Sequence, residues 1–289
     1  MIEKYLFLGS GSDKDPGFDD VSIEGVPYKE FMKSKGITVI DKVIESCHGC
    51  YDIMDSYSQQ MQFLANNGAR VVAVLQGGLL FGLPSIQATQ TTFPILSHPL
   101  DLVAYSAFMV PSGHAVIASV GVDDEKKAER AKALTLAERI LNLENPSVNI
   151  IANVENIEKI IEKNNLFGIA SNIYSSISSD ALSLVYGKTE EMRKIPKESF
   201  VVRADSDEKL KDWNYLKTAE ERHHIEDWNK VPSMQVRGLE NLAIFAAKII
   251  SLQKPELIAN IKEIGRKKLI TYKQRDLLVE AEAAIKNGR

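Results

Sequence analysis

The most constraining feature of this chain is a set of three short loops, each rich in small or polar residues and each directly after an apolar, strand-like segment. The loops are residues 9–13 (Gly-Ser-Gly-Ser-Asp), 46–49 (Ser-Cys-His-Gly) and 76–80 (Gln-Gly-Gly-Leu-Leu). Each precedes a segment with helical character, which is the element order of an open parallel α/β sheet. Ligands bind outside the carboxyl ends of the strands in such sheets. Three successive loops therefore predict one composite site with anion-binding groups and a titratable imidazole.

Size and composition are those of an ordinary globular protein. The 289 residues give an expectation of about two domains, and 44% apolar with 26% charged residues suits a packed core. A net charge of -4 argues against a general nucleic-acid or membrane-surface binder. No apolar run approaches the ~18 residues of a membrane span, the first residues do not resemble a secretory signal, and two cysteines are too few for a disulfide scaffold. We therefore expect a cytoplasmic enzyme.

Apolar segments alternate with helical segments through the first half. The strand segments are short and often β-branched, which suits strands buried on both faces. This alternation predicts βαβ units and a mostly parallel sheet. The predicted strands are 5–8, 37–44, 71–75, 93–96 and 115–120, and the predicted helices are 28–34, 51–67, 84–91 and 124–143.

A boundary at residues 145–147 separates a second α/β half, so we expect domains of residues 1–145 and 146–289. The second half has predicted strands at 148–151, 167–170 and 200–202 and a helix at 155–164. The ends of two apolar helices also align, which we interpret as a diverged tandem duplication. Two apolar helices followed by proline can look alike by chance, and that alternative stays open. The aligned residues are Ala137, Ile140, Leu141, Leu143 and Pro146 with Ala246, Ile249, Ile250, Leu252 and Pro255.

The second half lacks the three-loop set. If it is a duplicate, it is expected to have no complete site of its own and to contribute walls or an interface to the first half. Its charged helices, near 256–267 and 272–286, suit packing across a subunit boundary.

The first loop has the composition of a phosphate-binding turn. Its small residues let the backbone approach a ligand, Ser10 and Ser12 add hydroxyl donors, and Asp13 can accept hydrogen bonds from a ribose. A tight turn in which Asp13 caps the next helix explains the same residues without a ligand. The loop is not a dinucleotide-binding fingerprint, because the third glycine is missing.

The second loop places His48 directly after a strand, where an imidazole can act as general acid and base. A histidine that only caps the next helix is the alternative. Cys47 and Cys50 also form a Cys-x-x-Cys pair at a helix N-terminus, the setting of a thiol-disulfide oxidoreductase. That interpretation leaves the other two loops unexplained. The two cysteines and His48 are one ligand short of a closed zinc site.

The third loop has adjacent glycines, Gly77 and Gly78, at a strand end. Glycines there indicate either unusual backbone torsion angles or contact with a ligand. Leu79 begins an apolar wall, which a packing turn explains equally well. His98 follows the next strand and can reach the same rim.

Together, the three loops resemble the PurE-type family of purine biosynthesis, the aminoimidazole ribonucleotide carboxylases and carboxyaminoimidazole ribonucleotide mutases. The family's loops read Gly-Ser-x-Ser-Asp, Ser-Ala-His-Arg and Gly-Gly-Ala-Ala-His-Leu-Pro-Gly, which are similar to residues 9–13, 46–49 and 77–85. Residues 109–113 resemble the family's Met-Pro-x-Gly. The likeness covers roughly residues 4–143, and a partial likeness of residues 240–257 to the family's C-terminal helix supports the duplication.

The resemblance implies a three-layer, flavodoxin-like parallel sheet in a homo-oligomer, with no metal and no organic cofactor. The implied reaction moves a carboxylate from an exocyclic nitrogen to a ring carbon of the aminoimidazole, or adds carbon dioxide to that carbon. Ser10 would hold the phosphate, and Ser12 would be a further substrate-binding residue of the same loop. Asp13 would hold the ribose and Ser46 the reacting part of the substrate, while His48 moves a proton. Gly77 and Gly78 would enclose the carbon dioxide, and a closed apolar pocket would keep it from escaping. Leu79 would be a further substrate-binding residue.

Two positions depart from the family's pattern. The arginine after the catalytic histidine is Gly49, which removes a bidentate phosphate donor, and the third-loop histidine is replaced by Phe81 and an extra Gly82. Lys14 is a candidate for the missing cation, and His98 is a candidate for the missing imidazole. The first alternative function is therefore a diverged relative that binds another phosphorylated small molecule. The thiol-disulfide oxidoreductase is the alternative from a different class.

Overall fold

The sheet of the first half has the strand order of a flavodoxin-like fold. The computed structural model describes residues 2–12, 15–43, 51–77, 83–99, 115–116, 123–144, 147–152, 154–173, 181–186, 200–204 and 233–264. Across the sheet the order is β4-β1-β5-β6-β7, with all neighbours parallel, while β2 and β3 form a separate hairpin. These strands are β1 (Lys4–Ser10), β2 (Ser22–Ile23), β3 (Val26–Pro27), β4 (Thr38–Val43), β5 (Arg70–Gly77), β6 (Ile95–Pro99) and β7 (Ala115–Val116).

The second half repeats this order. Its five strands are all parallel and run β9-β8-β10-β11-β12 across the sheet, so the first strand again lies between the second and the third. An antiparallel pairing of Val116 with Gln235 joins the halves into one 10-stranded sheet. The chain is thus an α/β protein of two repeats. The second repeat's strands are β8 (Ser147–Ala152), β9 (Asn172–Ile173), β10 (Ala181–Tyr186), β11 (Phe200–Ala204) and β12 (Ser233–Val236).

Helices cover both faces of the first repeat's sheet, which gives three layers. Successive strand residues point to opposite faces. Leu6 and Leu8 therefore join the core cluster that contains α1 and α4, whereas Phe7 packs in the cluster that contains Met54 and Met61 of α2. The helices are α1 (Tyr28–Ser34), α2 (Tyr51–Asn66), α3 (Leu83–Gln90), α4 (Asp123–Asn142), α5 (Val154–Leu166), α6 (Gly238–Ser251) and α7 at 257–264. Within the part of the chain that the structure describes, no helix is long and apolar enough to cross a membrane.

The predicted α/β fold is confirmed, and α1 has its predicted bounds. The strand predicted at 167–170 is wrong, because a turn places Gly168 at φ +75° and the short strand β9 follows it. Strand β10 was not predicted. Residues 117–120 of the predicted fifth strand and the predicted helix 272–286 lie outside the described residues.

Polar side chains tie the two repeats together at the amino-terminal edge of the first repeat's sheet. The Arg70 guanidinium donates to the Leu141 main-chain oxygen at 3.1 Å and to the Gln253 side-chain oxygen. The Gln253 amide donates in turn to the Leu143 main-chain oxygen. These carbonyls lie at the end of α4, where a helix leaves its last oxygens unpaired. The segment after α6 is therefore fixed to the first repeat at the edge opposite the loops.

Candidate functional site

The crevice between β1 and β5 is the topological switch point of the first repeat. From β1 the chain continues to β4 on one side, whereas the strands after β5 extend the sheet on the other. Open α/β sheets bind ligands in this crevice, at the carboxyl ends of the strands. Ser10 ends β1 and Gly77 ends β5, so both predicted site residues lie at this point.

A row of buried polar side chains crosses three neighbouring strands at this edge. Ser10 pairs with Gln76, and Gln76 pairs with His98, so the three side chains lie on the same face of the sheet. Their exposed fractions are 5%, 0% and 0%. Preceding residues on the same face, such as Leu8 and Val74, belong to the apolar core. The sequence thus changes from core-forming to polar residues where the strands end.

The Gln76 carboxamide connects this row to the loop after β1. Its Nε2 donates to Ser10 Oγ at 2.9 Å and to the main-chain oxygen of Pro16. The main chain adds a further link, from the Gly11 amide to the Gln76 oxygen at 2.9 Å. Among the described residues, Gln76 Oε1 is buried without a hydrogen-bond partner. A buried polar atom left in this way costs about 1–3 kcal/mol, so it needs an explanation.

Arg130 of α4 holds the next part of the same loop. Its guanidinium donates to the Gly17 main-chain oxygen at 2.6 Å and to Asp20 Oδ2 at 3.0 Å, and only 4% of Arg130 is exposed. Phe18, between these contacts, is completely buried. The loop is therefore anchored by two buried side chains from elements far along the chain.

Neither torsion angle nor packing requires a glycine at position 11. Gly11 does not have a positive φ, and a Cβ built there would lie no closer than 3.5 Å to its nearest neighbour, Asp15 Oδ2. That distance is an ordinary van der Waals contact. The described part of the fold therefore gives no reason for a glycine here. A ligand that approaches the main chain closely would give one.

In the part of the second repeat that the structure describes, no such polar row lies at the equivalent edge. Ala152, Tyr186 and Ala204 pair across β8, β10 and β11 in the register that Ser10, Gln76 and His98 occupy in the first repeat. Tyr186 continues the core face of its strand. Because the repeats share their strand order, this difference in chemistry is not demanded by the topology.

The structure describes only part of the predicted site. Ser10, Ser12 and Gly77 are described, and Ser12 is half-buried one residue beyond Gly11. The alternatives that rest on Lys14, Cys47, Gly49, Cys50 and Phe81 fall on residues that the structure does not describe. The same holds for five predicted site residues, which lie outside the described residues: Asp13, Ser46, His48, Gly78 and Leu79.

The role of Gln76 in this network was missed from the sequence. The signal was present, because Gln76 continues the apolar run of β5 at a core-facing position, just before two glycines. His98, predicted to reach the same rim, lies in the buried row beside Gln76. In the described ranges, no three His, Cys, Asp or Glu side chains are grouped so as to hold a metal ion.

No family model matches the chain. No curated protein matches it.

Proposed function

We propose that the first repeat binds an aminoimidazole ribonucleotide at the carboxyl ends of β1 and β5 and transfers a carboxylate on it, as a mutase or carboxylase of purine biosynthesis. The resemblance of the three loops supplies the reaction. The buried Ser10–Gln76 pair at the switch point is the structural observation that supports a ligand there.

The described geometry supports Ser10 as a donor to the phosphate. Ser10 Oγ accepts a hydrogen bond from Gln76 Nε2 at 2.9 Å, so its own O–H stays available to donate. Ser12 adds a second hydroxyl in the proposal, and Asp13 accepts hydrogen bonds from the ribose. Because the described part of the loop is anchored, Ser10 and Ser12 would meet the ligand without a large ordering cost.

The proposed chemistry needs one proton to be moved. The carboxylate leaves the exocyclic nitrogen as carbon dioxide, and that nitrogen takes up a proton from His48. The ring carbon then attacks the carbon dioxide and loses its own proton to His48, which restores the starting state.

Ser46 holds the reacting part of the substrate, while Gly77, Gly78 and Leu79 retain the carbon dioxide. His98 supplies the imidazole that the third loop lacks. The active form is proposed to be a homo-oligomer.

A second candidate function is a diverged protein that acts on or binds another phosphorylated small molecule. The unpaired Gln76 Oε1 favours it, because this buried carboxamide is a polar group that the family's three loops do not include. A ligand with a hydrogen-bond donor at this point would pair with that oxygen.

An interconversion assay on the purified chain tests the proposed reaction. With carboxyaminoimidazole ribonucleotide as substrate, we expect His48→Asn to lower kcat by about 100-fold or more, the usual contribution of a general acid and base. Asp13→Asn is expected to lower activity, whereas Cys50→Ser is expected to leave it intact. Loss of activity in Cys50→Ser with full activity in Asp13→Asn would contradict the proposal and favour thiol chemistry.

A further inference from the structure

We propose that Gln76 is a specificity-determining residue, whose Oε1 accepts a hydrogen bond from an N–H or O–H group of the bound ligand. The proposal rests on the proposed function for the place of the site, at the switch point. It does not depend on the carboxylate-transfer chemistry. The ligand class that it names is a small molecule with a hydrogen-bond donor next to an acceptor.

The orientation of the Gln76 carboxamide is fixed by its neighbours. The Pro16 main-chain oxygen can only accept a hydrogen bond, so it must face the amide nitrogen of Gln76. The reversed amide would place two acceptor oxygens against each other. Nε2 therefore spends both of its hydrogens, one on Pro16 and one on Ser10, and Oε1 is the atom that remains to be paired.

Burial makes the unpaired oxygen a discriminating group. Gln76 has 0% exposure, and Oε1 has no partner in the described part of the chain. A ligand with a donor at this point satisfies the oxygen, whereas an analogue without that donor leaves it buried and unpaired. Sites of this kind reject the analogue strongly, because the protein's own polar group then lacks a partner.

Ser10 completes a donor–acceptor pair with Gln76. The Ser10 hydroxyl accepts a hydrogen bond from Gln76 Nε2 at 2.9 Å and can donate its own hydrogen to the ligand. Gln76 Oε1, on the same carboxamide, is the neighbouring acceptor. An exocyclic amine and a ribose hydroxyl both have the donor that this pair needs. The inferred ligand group is therefore a hydrogen-bond donor of either kind. Ligands that lack the amine or the hydroxyl distinguish the two.

The second repeat supplies a matched control. Tyr186 occupies the register position of Gln76, between Ala152 and Ala204 rather than between Ser10 and His98. Tyr186→Phe removes a polar group at the equivalent position of the other repeat. It is expected to leave ligand binding unchanged.

The test is titration calorimetry of the full chain with a ligand series. The ligands are aminoimidazole ribonucleotide, its analogue without the exocyclic amine, its analogue without the ribose 2′-hydroxyl, and ribose 5-phosphate. We expect wild type to bind one donor-bearing ligand at least about 10-fold more tightly than the analogue that lacks the donor. Gln76→Met is expected to bind both members of that pair equally, because the acceptor is gone. A displaced loop would weaken both members alike and leave the ratio unchanged.

The outcomes separate the role of Gln76 from the proposed function. Binding of aminoimidazole ribonucleotide with the same discrimination in Gln76→Met overturns the role of Gln76 and leaves the proposed function standing. Binding of ribose 5-phosphate alone, with affinity lost in Gln76→Met, contradicts the proposed function and supports this inference. No binding of any ligand overturns both. If Gln76→Met does not fold, Ser10→Ala replaces it, and unchanged affinity in that variant overturns the donor–acceptor pair.

Discussion

The Lys248 side-chain amino group in α6 of the second repeat donates a hydrogen bond to the Ala88 main-chain oxygen in α3 of the first, at 2.9 Å. Ala88 lies in the last turn of α3, where carbonyl oxygens have no partner within the helix, so Lys248 caps this end. Only 2% of Lys248 is exposed. The second repeat thus holds the helix that follows the third loop.

Lys248 is expected to make stability depend on pH. Burial lowers the pKa of Lys248 from 10.5 to about 7. Between these values the unfolded chain binds the proton and the folded chain does not, so this group's contribution to the free energy of unfolding rises with pH. Below about pH 7 the charged form is buried and its full cost is present. Relative to Lys248→Met, wild type should gain up to about 1.4 kcal/mol per pH unit above pH 7.

Urea unfolding of wild type and of Lys248→Met at several pH values between 7 and 10 measures the difference in their free energies of unfolding. Lys254→Met, at an exposed lysine just after α6, is the control and should show no such trend. A difference in unfolding free energy between wild type and Lys248→Met that stays constant over this pH interval would contradict a lowered pKa of Lys248.

Arg130 is expected to support both stability and ligand binding. Arg130→Met removes the hydrogen bonds to Gly17 and Asp20, and we expect a loss of about 2 kcal/mol in the free energy of unfolding. The freed loop should also lower affinity for the ligand. Asp20→Asn, whose side chain is half-exposed and which leaves the Gly17 contact in place, should cost less than about 1 kcal/mol. Equal losses in the two variants, measured by urea unfolding, would show that the Gly17 contact contributes nothing.

Gly11 is expected to matter for the ligand and not for the fold. Gly11→Ala should change the free energy of unfolding by less than about 0.5 kcal/mol, because neither φ nor packing opposes a Cβ there. Ligand affinity, measured by calorimetry, should fall by about 10-fold as the Cβ enters the approach to the site. Gly17→Ala, in the same loop, is the control and should keep both. Unchanged affinity in Gly11→Ala would argue against a ligand at this turn.

Gly168 explains why the strand predicted at 167–170 is a turn. Its φ of +75° is unfavourable for other residues, and a Cβ there would lie 3.2 Å from Leu257 Cδ2. Gly168→Ala is therefore expected to cost about 1–2 kcal/mol for the torsion angle plus a contact term. Gly36→Ala has a similar φ of +69° with nothing within 4 Å, so it should cost less. Equal losses of unfolding free energy would show that the contact with Leu257 is relieved freely.

The alternation of strands and helices could be predicted from the sequence, but the pairing of strands far apart in the chain could not. Strands β1 and β5 were predictable because each is a short apolar run before a glycine-rich loop. Strand β10 was missed because it follows a serine-rich stretch and contains Ser183, although all its residues are buried. The same limit applies to the junction of the repeats, since nothing local to Val116 or Gln235 predicts their antiparallel pairing.

The candidate site shows the same division. The strand ends that carry Ser10 and Gly77 could be located from composition alone. The role of Gln76 could not, because it depends on the register that brings Gln76 beside Ser10 and His98. That register is fixed by the apolar faces of β1, β5 and β6 as they pack, and no short stretch of sequence contains it.

Titration calorimetry of the purified full chain and of its His48→Asn variant with carboxyaminoimidazole ribonucleotide, beside the interconversion assay, tests the proposed function most directly. We expect micromolar binding by wild type, and a variant that still binds but no longer interconverts the substrate. An absence of binding at millimolar ligand would contradict the proposed function, and would mean that the switch point of this α/β repeat serves a different molecule.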